Sequence, residues 1–98
     1  PLVNQLAQRY AAEPRVQVLD VGRDCKDSDY QRWIQTHKPN HPVLNDCQMS
    51  LLKDLQVSSY PTTIIIDSSR KIRYKHVGAW SSSAMNTIIN KIDTILAE

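Results

Sequence analysis

Val57-Ser58-Ser59-Tyr60-Pro61-Thr62-Thr63-Ile64-Ile65-Ile66-Asp67 is the stretch whose reading decides the architecture. Thr62 to Asp67, led by five β-branched residues in a row, reads as a buried strand. Proline has no N–H to give to a sheet, so Pro61 is tolerated only as the first residue of that strand or on an edge. Coming directly after an aromatic residue, it marks a fixed turn, and X–Pro bonds are the ones that adopt the cis form. Such a turn presents backbone to another molecule. Asp67-Ser68-Ser69-Arg70 reads as a hairpin turn, and Ile72 to Val77 as the antiparallel partner, closed by Gly78.

The remaining elements follow outward from this hairpin. Leu2, Val3, Leu6, Tyr10 and Ala11 recur at helical spacing and predict an amphipathic helix over residues 2–12, stopped by Pro14. Arg15 to Val21 alternates and then turns apolar, a parallel-strand pattern ending at Gly22. Asp27-Ser28-Asp29 carries N-cap chemistry, with Tyr30, Trp33, Ile34 and His37 at i, i+3, i+4 and i+7. Trp33 is expected in the core and Trp80 at the exit of the hairpin. Lys38-Pro39-Asn40-His41-Pro42 is a loop, Pro42-Val43-Leu44 a brief strand, and Met49, Leu51, Leu52 and Leu55 suggest a helix over 48–56. Ser81-Ser82-Ser83 caps a long helix with Met85, Ile88, Ile89, Ile92, Ile95 and Leu96 on its apolar face.

A helix crossing between strands implies parallel pairing, so the fold class is α/β with helices on both sheet faces. The closing hairpin makes the central sheet mixed. At 98 residues the chain is expected to form a single domain, 1–98.

The composition is that of a soluble globular chain: 41% hydrophobic, 22% charged, net charge +2. The twelve Lys and Arg are scattered, and the one basic run, Arg70 to His76, places Lys71, Arg73 and Lys75 on one strand face opposite Ile72 and Tyr74. That is a solvated face, since nucleic-acid binding needs a wider basic footprint with more aromatics. No stretch approaches the roughly 18 apolar residues of a membrane span. Pro1-Leu2-Val3-Asn4-Gln5 has neither a charged n-region nor an apolar h-region. The chain does not open with Met and reads as part of something longer.

Cys25 and Cys47 are not in C-x-x-C spacing, and three readings stay open for them. They are free, inert thiols, or zinc ligands with His37 and His41 at poor spacing, or a disulfide. The third has a geometric case: if strands 15–21 and 42–45 are parallel neighbours, each cysteine follows the C-terminal end of its strand. Neighbouring strands lie about 4.8 Å apart, close to the separation a disulfide tolerates. A structural disulfide favours an oxidising compartment.

The element order, Tyr60-Pro61-Thr62, the hairpin and Gly78 resemble the thioredoxin-like superfamily. The match is closer to its TlpA/ResA-like branch of extracytoplasmic thiol–disulfide oxidoreductases. There an extra strand–helix element follows the second helix, as Pro42-Val43-Leu44-Asn45-Asp46 and residues 48–56 do here. Thr62-Thr63-Ile64-Ile65-Ile66-Asp67 and Lys75-His76-Val77-Gly78 fit the branch's pattern, and the resemblance covers nearly all of the chain.

In that branch a strand and a C-x-x-C motif precede the first helix. Pro1-Leu2-Val3-Asn4-Gln5-Leu6 resembles the segment just after the motif, so the first strand and the catalytic cysteines are expected upstream of Pro1. No catalytic residue is expected within the chain. The resemblance implies that Tyr60, Pro61 and Ser59 contact substrate, Tyr60 through backbone pairing with an extended chain. Pro61 would shape the loop and keep metal ligands away. The partners implied are protein thiols and disulfides, with no cofactor, metal or nucleic acid. The alternative is a redox-inactive thioredoxin-like domain that binds polypeptide along Tyr60-Pro61. A thiol peroxidase is a third reading, but its peroxidatic cysteine would also lie upstream.

Overall fold

The structure is a computed structural model that describes residues 2–98. Eight elements follow in the order α1 (Leu2–Arg9), β1 (Asp20–Gly22), α2 (Asp27–His37), β2 (Val43–Asn45), α3 (Ser50–Asp54), β3 (Thr62–Ile66), β4 (Ile72–Val77) and α4 (Ser82–Leu96). They divide into two compact units, one ending at Gln56 and one spanning Val57–Glu98.

In the first unit β1 and β2 pair in parallel, Asp20 opposite Val43, Val21 opposite Leu44 and Gly22 opposite Asn45. The crossover through α2 enforces that direction. The strand predicted over 15–21 is reduced to Asp20–Gly22, because its partner offers only three residues and a ladder extends no further than the shorter strand. The helix predicted over 2–12 stops at Arg9. Beyond it the chain tightens into i→i+3 turns, Ala11 N–H to Gln8 O at 3.3 Å and Glu13 N–H to Tyr10 O at 3.0 Å. The residue before Pro14 cannot comfortably stay helical.

Asp27 does not cap α2. The N-cap is Lys26, whose side chain makes no capping bond. Asp27 and Asp29 lie within the first turn instead, where carboxylates face the positive end of the macrodipole. The helix predicted over 48–56 is the shorter Ser50–Asp54. An Asp46 carboxylate oxygen accepts from Leu52 N–H at 3.0 Å and ties its first turn to the end of β2. Leu6, Tyr10 and Leu52 are this unit's buried apolar side chains. Trp33, expected in the core, is half-buried and lies tilted against His37, ring centroids 4.8 Å apart.

In the second unit β3 and β4 form an antiparallel hairpin. The strand ends at Ile66 rather than Asp67, because Asp67 turns the chain. Its carboxylate accepts from Ser69 N–H at 2.8 Å and Lys71 N–H at 3.0 Å, and its carbonyl from Arg70 N–H at 3.0 Å. The register steps from Ile65 opposite Tyr74 to Ile66 opposite Ile72, so Arg73 is the extra residue of a bulge. The bulge breaks the alternation that would have turned Ile72 inward with Tyr74. Ile72 is 51% exposed. Helix α4 begins where predicted, with Ser81 Oγ accepting from Ala84 N–H at 3.1 Å. It carries Ile88, which is 1% exposed.

The bulge aims Arg73 at two carboxylates. It donates through Nη1 to Asp67 at 3.2 Å and to Glu98 Oε1 at 2.8 Å, and through Nη2 to Glu98 Oε2. The Lys71 backbone N–H first, and Arg73 second, hold Asp67 below its ordinary 3.8. The Arg73 hydrogen bond holds Glu98 below its ordinary 4.5. Groups whose folded pKa is lowered stabilise above their unfolded values and lose that contribution as pH falls through the folded ones. Arg73→Met is therefore expected to lower the urea midpoint at pH 7 and low salt, with a gap from the parent chain that narrows below about pH 4. The effect will be small and salt-sensitive, because Arg73 and Glu98 are open to solvent. A gap that stays constant from pH 7 to pH 2.5 would remove the carboxylates from the account.

Candidate functional site

The turn that opens β3 is built by three short hydrogen bonds. Thr62 Oγ1 donates to Ser59 O at 2.6 Å, which folds the segment back on itself ahead of the strand. Gly78 N–H donates to Pro61 O at 2.8 Å, tying the start of β3 to the end of β4. Trp80 Nε1 donates to Thr63 Oγ1 at 2.6 Å, so the indole pins the residue two positions after the proline. The peptide bond between Tyr60 and Pro61 is cis. Ser59, Tyr60 and Pro61 are all exposed, Tyr60 by 44%.

The sequence places Trp80 near this turn through Gly78, but a single sequence does not reveal its bond to Thr63. Nor does it reveal the Gly78–Pro61 bond, which depends on a glycine conformation. Gly78 has φ +110°, and a Cβ there would meet no atom within 4 Å. Backbone conformation, not space, therefore requires glycine. Gly78→Ala is expected to cost about 1–3 kcal/mol and to lower the thermal midpoint. An unchanged midpoint would mean that the segment relaxes freely and that Pro61 is not held by this bond.

The other residues singled out from the sequence lie in the first unit. Cys25 and Cys47 form a disulfide, Cα atoms 4.7 Å apart. They lie just past the C-terminal ends of β1 and β2, where parallel neighbours bring two chains to disulfide distance. The bond overturns the free-thiol and zinc readings. His41, a candidate ligand in the zinc reading, is engaged otherwise. Its Nε2 lies 2.7 Å from Asp20 Oδ2 and its Nδ1 2.9 Å from Asn40 Oδ1, with its side chain 3% exposed. Asn40 Nδ2 donates in turn to Asn4 O at 3.0 Å. Asp20, the first residue of β1, thus anchors the loop before β2. No group of three or more potential metal ligands occurs among the described residues, and no helix among them is long and apolar enough to cross a membrane.

No family model matches the sequence, and no curated protein matches it either. Among solved structures, the chain is similar to the crystal structure of a protein assigned as a thiol:disulfide interchange protein, DsbE, from Chlorobium tepidum. The two share 25% identity with a TM-score of 0.87, over 98% of this chain and 67% of that one. The fold is thioredoxin-like. In this thioredoxin-like chain the helices, the parallel pair and the hairpin keep the expected order, and the proline turn stands at the head of β3. The extra strand and helix, β2 and α3, are present between α2 and that turn.

Proposed function

We propose that this chain is the substrate-contacting portion of a thioredoxin-like thiol–disulfide oxidoreductase that acts on protein thiols and disulfides. The observation that carries the reading is the exposed Ser59-Tyr60-Pro61 turn at the head of β3, in a fold that matches a thiol:disulfide interchange protein over 98% of the chain. By the resemblance, the chemistry would reside in a C-x-x-C pair N-terminal to residue 1, because Cys25 and Cys47, 22 residues apart, are not in that spacing. A thiolate there would attack a substrate disulfide, and the second cysteine would resolve the mixed disulfide. Tyr60 and Ser59 would receive the extended substrate by backbone pairing, with Pro61 shaping the loop. An extracytoplasmic location follows from the same reading, and the disulfide supports it, since such bonds persist in oxidising compartments.

Insulin reduction by the full-length protein tests this. Activity that disappears when the upstream cysteines are changed to serine is the expected result. The absence of such a pair, or activity that survives its removal, would sink the proposal. The same exposed turn supports one second reading, a redox-inactive domain that binds polypeptide along Tyr60-Pro61. Binding of an extended peptide by a protein without the upstream pair would select it.

A further inference from the structure

The Cys25–Cys47 bond stands where a reductant can reach it. Cys25 is exposed and Cys47 half-buried, both in turns between a strand end and a helix start. The bond also does not act alone in holding the two strand ends together. Asp46 N–H donates to Gly22 O at 2.7 Å, and Asn45 Nδ2 to Asp24 O at 2.6 Å, each within three residues of both sulfurs' residues. Further back, Asp20 N–H donates to Pro42 O at 3.0 Å, His41 Nε2 meets Asp20 Oδ2 at 2.7 Å, and Tyr30 Oη donates to Val43 O at 3.3 Å. None of these contacts involves sulfur. None of them runs through the S–S bond, so their persistence after its cleavage would keep the two thiols side by side.

We propose that Cys25–Cys47 is a second dithiol–disulfide site, opened by dithiol reductants and closed again without unfolding of the chain. It is independent of the upstream pair. Cys25, the more exposed residue of the two, supplies the point of attack at its Sγ. A thiolate of the reductant forms a bond to Cys25 Sγ as the S–S bond breaks, and Cys47 leaves as a thiolate that takes up a proton. The reductant's second thiolate then attacks its own sulfur in the mixed disulfide. That closes the reductant into a disulfide and releases Cys25 as the second thiol. Two electrons pass from the dithiol to the pair, and two protons accompany them. Closure runs the same steps backwards with a disulfide oxidant. Its ease depends on the strand-end hydrogen bonds, which keep the thiols at high effective concentration.

The test uses the full-length protein with every cysteine other than Cys25 and Cys47 changed to serine, so that failure of the oxidoreductase reading leaves the result unaffected. The protein is equilibrated with mixtures of reduced and oxidised dithiothreitol in native buffer. The thiols are trapped with iodoacetamide and counted by mass. The expected result is one reversible transition from no trapped thiols to two, with the far-UV circular dichroism unchanged across it. Asn45→Ala, which removes one strand-end bond, is expected to shift the equilibrium toward the dithiol about two- to tenfold. A pair that stays closed until denaturant is added, or whose opening unfolds the chain, would overturn the proposal and leave a purely structural disulfide. An unshifted equilibrium in Asn45→Ala would overturn the role given to the strand-end bonds.

Discussion

Ile88→Ala is expected to destabilise the protein by about 2–5 kcal/mol and to lower its thermal midpoint by roughly 10 °C or more. Ile88 is 1% exposed, the most deeply buried of the apolar residues among those described. It lies mid-way along α4, the longest helix, on the apolar face with Met85, Ile92 and Ile95. Truncation to alanine loses the transfer free energy of three carbons and leaves a cavity that a helix cannot collapse into. Few other apolar groups share the load, since only Leu6, Tyr10 and Leu52 are also buried among the described residues. The total stability of a domain is about 5–15 kcal/mol, so this one change removes a substantial fraction. Ile72→Ala is the internal control. At 51% exposed, on the bulged part of β4, it should cost well under half as much. Urea unfolding of both variants checks the pair. Equal losses would mean that exposure does not rank these positions and that α4 does not carry the core.

Periodicity made the elements legible, and pairing decided their ends. The β4 span and the Ser81 cap of α4 follow directly from residues 72–77 and 81–83, because alternation and a hydroxyl cap are local signals. Residues 15–19 alternate as convincingly as Asp20–Gly22, yet they lie outside the ladder, because strand length is a property of two segments and the sequence displays one at a time. The bulge at Arg73 was illegible for a related reason. A single extra residue is fixed by what lies opposite it and by the reach of Arg73 to Asp67 and Glu98, the second of which is 25 residues away. At the candidate site the proline was legible because it lacks an N–H. The partners that hold its turn, Gly78 and Trp80, were not, because hydrogen bonds across a hairpin leave no spacing rule in one sequence. The cysteine pair shows both sides: parallel strand ends made a disulfide geometrically reasonable, but free thiols, and less well a zinc site with His37 and His41 at poor spacing, were also compatible with the residues alone.

Removing the disulfide is expected to cost about 3 kcal/mol, from the loop closed by a sequence separation of 22 residues. The loss should originate mainly in the unfolded chain. In the folded chain the strand ends remain joined by Asp46 N–H to Gly22 O and Asn45 Nδ2 to Asp24 O, whereas the unfolded chain gains the freedom of an open loop. Two signatures distinguish this origin from a loss of native contacts. Cys25→Ala combined with Cys47→Ala should raise the urea m-value, because an uncrosslinked chain exposes more surface on unfolding. The circular dichroism of the folded variant should match that of the oxidised parent. A thermodynamic cycle adds a quantitative check. If the bond stabilises the folded chain by about 3 kcal/mol, then folding must favour the bond by the same amount, about 150-fold in its equilibrium with dithiothreitol. The trapped-thiol titration repeated in concentrated urea should therefore show the pair opening at about 150-fold weaker reducing conditions than in native buffer. A ratio near one, beside a measured loss of about 3 kcal/mol in the double variant, would break the cycle. It would trace that loss to the alanines themselves rather than to the missing crosslink.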